Sequence, residues 1–143
     1  MSDALPAATE FHARSMRDLG GVLAFVDRVS AELDADTAFS VRLAVEEAFT
    51  NIYEYGYDDH EGPVTVRIDV TARRVVVTLA DEAPAFDPVE APPPDLESPW
   101  DERRMGGLGW HLIRHVMDEV TYAPGGKRGN VLKLVKMRAN GQG

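Results

Sequence analysis

The chain contains no cysteine among its 143 residues. That absence excludes disulfide scaffolds, thiolate zinc sites, iron-sulfur clusters and cysteine nucleophiles, and it gives no sign of an oxidising compartment. No apolar run approaches the roughly 18 residues of a membrane-spanning helix. Met1 to Glu10 also lacks the basic start and apolar stretch of a secretory signal. A cytoplasmic, soluble protein with no membrane partner is expected. Basic charge is scarce as well: 15 Lys and Arg stand against 24 Asp and Glu, a net charge of -9. A surface of that sign repels phosphate backbones and anionic headgroups, so direct nucleic-acid binding is not expected. What is present, 44% hydrophobic and 27% charged residues, suits one globular domain with a substantial core.

The charge is unevenly divided. Residues 1–100 carry 20 acidic and 7 basic side chains, and residues 101–143 carry 4 and 8. The mildly cationic last third is either solvated surface or a seat for a small anion such as a nucleotide phosphate.

Apolar residues three and four apart predict a helix from about Met16 to Leu33, through Leu19, Val22, Leu23, Val26 and Val29, weakened at its start by Gly20 and Gly21. A stronger helix is predicted from Thr37 to Tyr55, with Asp34 or Asp36 as N-cap and Gly56 as terminator. Its apolar stripe is Val41, Ala44, Val45, Ala48 and Ile52. Val64 to Val70 and Arg74 to Ala80 read as paired strands joined at Ala72 and Arg73. From Asp81 to Gly107 periodicity stops, and six of the nine prolines fall there, which forbids a helix or an inner strand. A segment of this kind is a functional lid or is disordered. Helical spacing resumes over Leu108 to Met117. Glu119 to Ala123 and Asn130 to Met137 then read as strands about a glycine-rich turn, with a further strand near Phe11 to Arg14.

This order predicts an α+β protein, a two-layer α/β sandwich in which a mixed, mostly antiparallel sheet carries its helices on one face. The domain is expected over residues 11–138, with tails at 1–10 and 139–143. Neither a G-x-x-x-x-G-K-[ST] loop nor a strand-borne G-x-G-x-x-G is present.

Glu47 and Asn51 stand one turn apart on the second helix, off its apolar stripe. A carboxylate accepts a proton, and an amide oxygen is a hard ligand suited to a magnesium ion that also touches phosphates; the same pair also serves as a plain helix-supporting pair. Asp81 closes a strand, where rigid backbone positions functional side chains, or acts as a turn residue. Gly106, Gly107, Leu108 and Gly109 directly precede the last predicted helix, so their N–H groups suit an anion, or form only a flexible joint. Arg103 and Arg104 beside them have the geometry to reach phosphate oxygens. His111 and His115 are also one turn apart, but the glutamate of an H-E-x-x-H site is missing and no metal is expected there. No serine sits in a G-x-S-x-G elbow.

Taken together, Leu43-Ala44-Val45-Glu46-Glu47-Ala48-Phe49-Thr50-Asn51, Asp81 with Phe86-Asp87-Pro88, Gly106-Gly107-Leu108-Gly109 and Met117-Asp118-Glu119-Val120 resemble the anti-sigma factor serine/threonine kinases of the GHKL ATPase superfamily. The likeness spans about residues 12–137. It implies a Bergerat-type sandwich that binds Mg-ATP beneath a proline-rich ATP lid at residues 88–106. It further implies Glu47 as general base toward a serine of an anti-sigma factor antagonist, Asn51 as the Mg2+ ligand and Asp81 as the partner of the adenine amino group. Gly106 to Gly109 would close over the phosphates. Such kinases also sequester a sigma factor, and a homodimer is implied by resemblance alone.

The adenine box of that family reads D-x-G-x-G, whereas this chain has Asp81-Glu82-Ala83-Pro84-Ala85. A Cβ at Ala83 and Ala85 restricts positive φ and adds bulk where backbone meets the base, so either nucleotide binding is weakened or a residue as small as Ala83 is tolerated there. Tyr55 replaces a histidine often found after the asparagine. The alternative function is therefore a non-catalytic protein-binding switch of the same fold that has weakened or lost ATP use.

Overall fold

A computed structural model describes residues 9–84, 105–124 and 129–138. Five strands, β1 (Thr9–Ala13), β2 (Val64–Val70), β3 (Arg74–Asp81), β4 (Glu119–Pro124) and β5 (Asn130–Met137), form one sheet in the order β1-β2-β3-β5-β4. All four pairings are antiparallel, so the expected mixed sheet is a purely antiparallel one. β1 also takes in Thr9 and Glu10, which were expected in a tail, because they pair with Ile68 and Arg67 of β2.

Alternation along the strands decides which face is covered. Val64, Val66 and Ile68 of β2, Val75, Val77 and Leu79 of β3, and Leu132 and Leu134 of β5 are buried. Arg67 and Lys133 on intervening positions are exposed. Against the buried face pack three helices, α1 (Leu19–Val29), α2 (Ala35–Asn51) and α3 (Met105–Val116). They contribute Val22, Phe25 and Val26, then Val41, Ala44, Val45, Ala48 and Phe49, then Trp110 and Ile113 to a single core. No helix among the described residues is long and apolar enough to cross a membrane.

The first predicted helix is shorter than its periodicity suggests. A capping box between Ser15 and Asp18 opens a 3-10 turn over Met16–Asp18, and α1 stops at Val29, before Leu33. The second follows its prediction closely. Asp34 is the N-cap, its carboxylate accepting from the Thr37 backbone N–H at 3.0 Å and from the Thr37 hydroxyl at 2.6 Å. The predicted stripe of α2 is buried throughout. Beyond Asn51 the α-helix widens into a π-helical turn, Ile52–Gly56, a distortion common at functional sites.

Candidate functional site

The register of β3 and β5 sets Asp81 directly opposite Asn130 at one end of the sheet. Above that end α2 and α3 leave a cleft. Its apolar wall is Ala48, Ile52, Ile113 and Leu132, and its polar groups are Asn51, Asp81, Trp110, Tyr122 and Asn130. Two sequence-predicted residues, Asn51 from the end of α2 and Asp81 from the end of β3, therefore meet in one place although 30 positions separate them in the chain.

Asp81 is held by its own turn and by its neighbour. Its Oδ1 accepts from the Ala83 backbone N–H at 2.9 Å and from Asn130 Nδ2 at 2.9 Å. Asn130 Nδ2 also donates to the Pro84 carbonyl at 3.1 Å, and its Oδ1 accepts from the Tyr122 hydroxyl. Burial pushes the Asp81 carboxyl above the usual aspartate range, and the bonds from Asn130 and Ala83 only partly offset it. An acceptor on an apolar wall, with one oxygen committed to the fold, suits a flat heterocycle that offers an amine.

Asn51 is only 6% exposed, although it lies off the predicted stripe. Its side-chain amide makes no hydrogen bond among the described residues, which leaves its oxygen available to a hard cation. Glu47 sits one turn earlier on α2 and is half-buried. Burial raises its carboxyl above the ordinary glutamate value, and the neighbouring Glu46 charge raises it further. A carboxylate shifted upward is a better proton acceptor than an exposed one.

Ala83 is 1% exposed and packs on Gly56 at the end of the π-helical turn. A Cβ built on Gly56 would come within 3.2 Å of the Ala83 Cβ. The methyl thus fills space that a glycine on the opposite segment leaves open. Among the described residues only Asp58 and Asp59 combine a side chain with positive φ, so Ala83 needs no left-handed backbone. The strained position nearby is Gly129, at φ +92°, where a Cβ would meet the Asp81 carbonyl oxygen at 2.6 Å. Its N–H donates to the Ala83 carbonyl at 2.9 Å and ties the strand ends together.

The glycine run was expected to precede a helix, but α3 begins at Met105 and includes Gly106 to Gly109 in its first turns. Packing of Trp110, Ile113 and Met117 into the core carries the helix through residues with poor intrinsic helix preference. Ala85, residues 88–104 of the expected lid, and Arg103 and Arg104 lie outside the described residues. His111 and His115 are both exposed on α3.

Three polar residues of the cleft carried no functional signal in the sequence: Trp110, Tyr122 and Asn130. Asn130 reads only as the first residue of a strand, after the glycine-rich turn. Only its pairing with Asp81 across the sheet reveals it.

The family described as histidine kinase-like ATPase domain matches residues 11–136. The serine/threonine-protein kinase BtrW of Bordetella bronchiseptica is 33% identical over 101 residues, covering 70% of this chain and 68% of that protein. The serine-protein kinase RsbW of Staphylococcus aureus is 28% identical over 148 residues, covering 96% of this chain and 90% of that one. In three dimensions the histidine kinase AdeS of Acinetobacter baumannii superposes with a TM-score of 0.51 at 15% identity, covering 91% of this chain and 68% of AdeS, a likeness of fold. An antiparallel sheet under three helices, a cleft joining the end of α2 to the end of β3, and a match running from β1 into β5 lead to one conclusion: the chain belongs to the histidine kinase-like ATPase domain family.

Proposed function

We propose that this protein is an ATP-dependent serine/threonine kinase of the anti-sigma type, which phosphorylates an anti-sigma factor antagonist and sequesters a sigma factor. The observation that carries the reading is the convergence of Asp81 and Asn51 on one cleft, with Glu47 a turn away along α2. The names of the relatives BtrW and RsbW, both protein kinases acting on serine or serine/threonine, support it.

The residues fit a magnesium nucleotide. The free Asp81 oxygen accepts from a base amine, and Ile52, Ile113 and Leu132 cover the ring faces. The Asn51 amide oxygen would hold a magnesium ion as a hard ligand, and the ion would supply charge neutralisation at the phosphates. When bound, Mg-ATP supplies the γ-phosphoryl group and the charge neutralisation that its transfer needs. Glu47 would orient the hydroxyl of the substrate serine and take its proton onto a carboxylate oxygen as the serine oxygen bonds to the γ-phosphorus and the β–γ P–O bond breaks to release ADP. The backbone N–H groups of Gly106 and Gly107, in the first turn of α3, would donate to phosphate oxygens, and Ala83 supports the turn behind Asp81. Ala85 belongs to the same segment. A cytoplasmic location and a homodimer are part of this proposal.

The alternative, a switch that binds proteins without using ATP, draws on the alanines of the adenine box. Burial of the Ala83 methyl against Gly56, where it has room, supports the kinase reading at position 83. Transfer of labelled γ-phosphate to an antagonist captured with the protein from its native cell tests it. Glu47→Ala should lose transfer by about a hundredfold or more while still binding Mg-ATP. Undiminished transfer by this variant would refute the role of Glu47.

A further inference from the structure

Among the described residues, two buried side-chain polar atoms lack a hydrogen-bond partner: Ser30 Oγ, at the end of α1, and Trp110 Nε1. Trp110 is 2% exposed and lines the cleft with Asn51, Asp81 and Asn130. An indole nitrogen can only donate, and a buried donor without an acceptor is rare enough in folded proteins to require a reason.

The neighbouring groups do not supply one. Tyr122 directs its hydroxyl to Asn130, and Asn130 spends its amide on Asp81 and on the Pro84 carbonyl. Asp81 has one oxygen tied to the fold by two donors. The polar groups of the cleft left without a hydrogen bond are therefore one Asp81 oxygen as an acceptor, the Asn51 amide, assigned above to a cation, and Trp110 Nε1 as a buried donor.

We propose that Trp110 is a specificity-determining residue of this cleft, its Nε1–H donating to a ring nitrogen of an adenine base whose exocyclic amine is bound by Asp81. The proposal rests on the nucleotide reading of the cleft given above. Adenine offers an amine donor together with the ring acceptors N1, N3 and N7. Guanine turns an oxygen acceptor and a ring N–H donor to the corresponding edge, so it sets acceptor against Asp81. The pair of groups thus selects adenine over guanine by matched polarity, as sites built around buried polar groups do. The indole face adds apolar contact, but the selectivity lies in its N–H.

The test is a cycle between protein and ligand. Binding of Mg-ATP and of its 1-deaza, 3-deaza and 7-deaza analogues is measured by calorimetry on the wild-type chain and on Trp110→Phe. For the wild type, one analogue should bind about tenfold more weakly than ATP, the effect of a lost hydrogen bond. For Trp110→Phe, ATP itself should bind about tenfold more weakly and the penalty for that analogue should vanish. The ligand-free variant should keep the wild-type circular dichroism spectrum, since no protein bond is lost. If the phenylalanine variant fails to fold, benzothienylalanine at position 110, which keeps the ring shape without the N–H, carries the same comparison. Wild-type ATP affinity in the variant, or an analogue penalty that persists in it, overturns the role of Trp110. Failure of the wild-type chain to bind Mg-ATP at millimolar concentration instead overturns the nucleotide reading itself, and the proposal with it.

Discussion

Replacing Asp81 by asparagine keeps the size and shape of the side chain and removes its charge, and the fold dictates how the new amide must sit. Oδ1 receives hydrogen bonds from the Ala83 N–H and from Asn130 Nδ2, both at 2.9 Å. The amide oxygen has to stay there, so the NH2 group turns into the cleft. A base amine that met an acceptor now meets a donor. A hydrogen bond to a charged group contributes about 1.5–3 kcal/mol, so the loss alone weakens adenine-nucleotide binding by about ten- to a hundred-and-fifty-fold. Stability should move the other way. Burial raises the Asp81 pKa in the fold, so its favourable contribution is fully present below the ordinary value of 3.8 and is lost as pH rises through the raised folded value. At neutral pH the ionised carboxylate opposes folding, and Asp81→Asn removes that opposition. The variant should melt at or above the wild-type temperature at pH 7, with the advantage shrinking as pH falls toward 3.8. Calorimetry with Mg-ATP and thermal melting across a pH series check both halves. Wild-type affinity in the variant would show that Asp81 binds no base amine, and a melting temperature well below wild type at pH 7 would show that its buried charge does not oppose folding.

Two further predictions follow from contacts around the cleft. Gly56→Ala should destabilise the chain more strongly in the Ala83 background than beside Ala83→Gly, because the two Cβ atoms would approach within 3.2 Å; chemical denaturation of the four variants should give a coupling of about 0.5–3 kcal/mol. Additive effects would show that the methyl of Ala83 does not depend on Gly56. The acid limb of the phosphoryl-transfer profile should lie above the ordinary glutamate value of 4.5, since Glu47 must be ionised to take a proton and burial raises its pKa. A pH series of single-turnover transfer rates measures it, and a limb at or below that value would exclude Glu47 as the base.

Much of this was legible where a single local rule acts alone. The stripe from Val41 to Ile52 and the cap at Asp34 define α2 because helix periodicity and capping are properties of neighbouring residues. The strand Val64–Val70 has the bounds its β-branched residues suggest. α3 starts at Met105, before the Leu108 that helical spacing marks, because the burial of Trp110 and Ile113 sustains a helix that glycine preference argues against. The π-helical turn after Asn51 leaves no periodic mark either, since one residue of extra width depends on tertiary fit.

The site divides along the same line. Asp81 and Asn51 were recognisable as motif residues, whereas the arrangement that serves them was not. Asn130 lies 49 positions from Asp81 and reaches it only through strand register. The space for Ala83 is made by Gly56, which in the sequence reads only as a helix terminator. Compensation of this kind couples distant positions, and neither residue announces it alone.

Parallel calorimetric titrations of the wild-type chain with Mg-ATP and Mg-GTP decide whether the cleft between α2, α3 and the β3–β5 end of the sheet takes adenine nucleotides. Saturable, one-to-one binding of Mg-ATP at least tenfold tighter than that of Mg-GTP is the expected outcome. Absence of binding at millimolar Mg-ATP, or equal affinity for the two nucleotides, would contradict it.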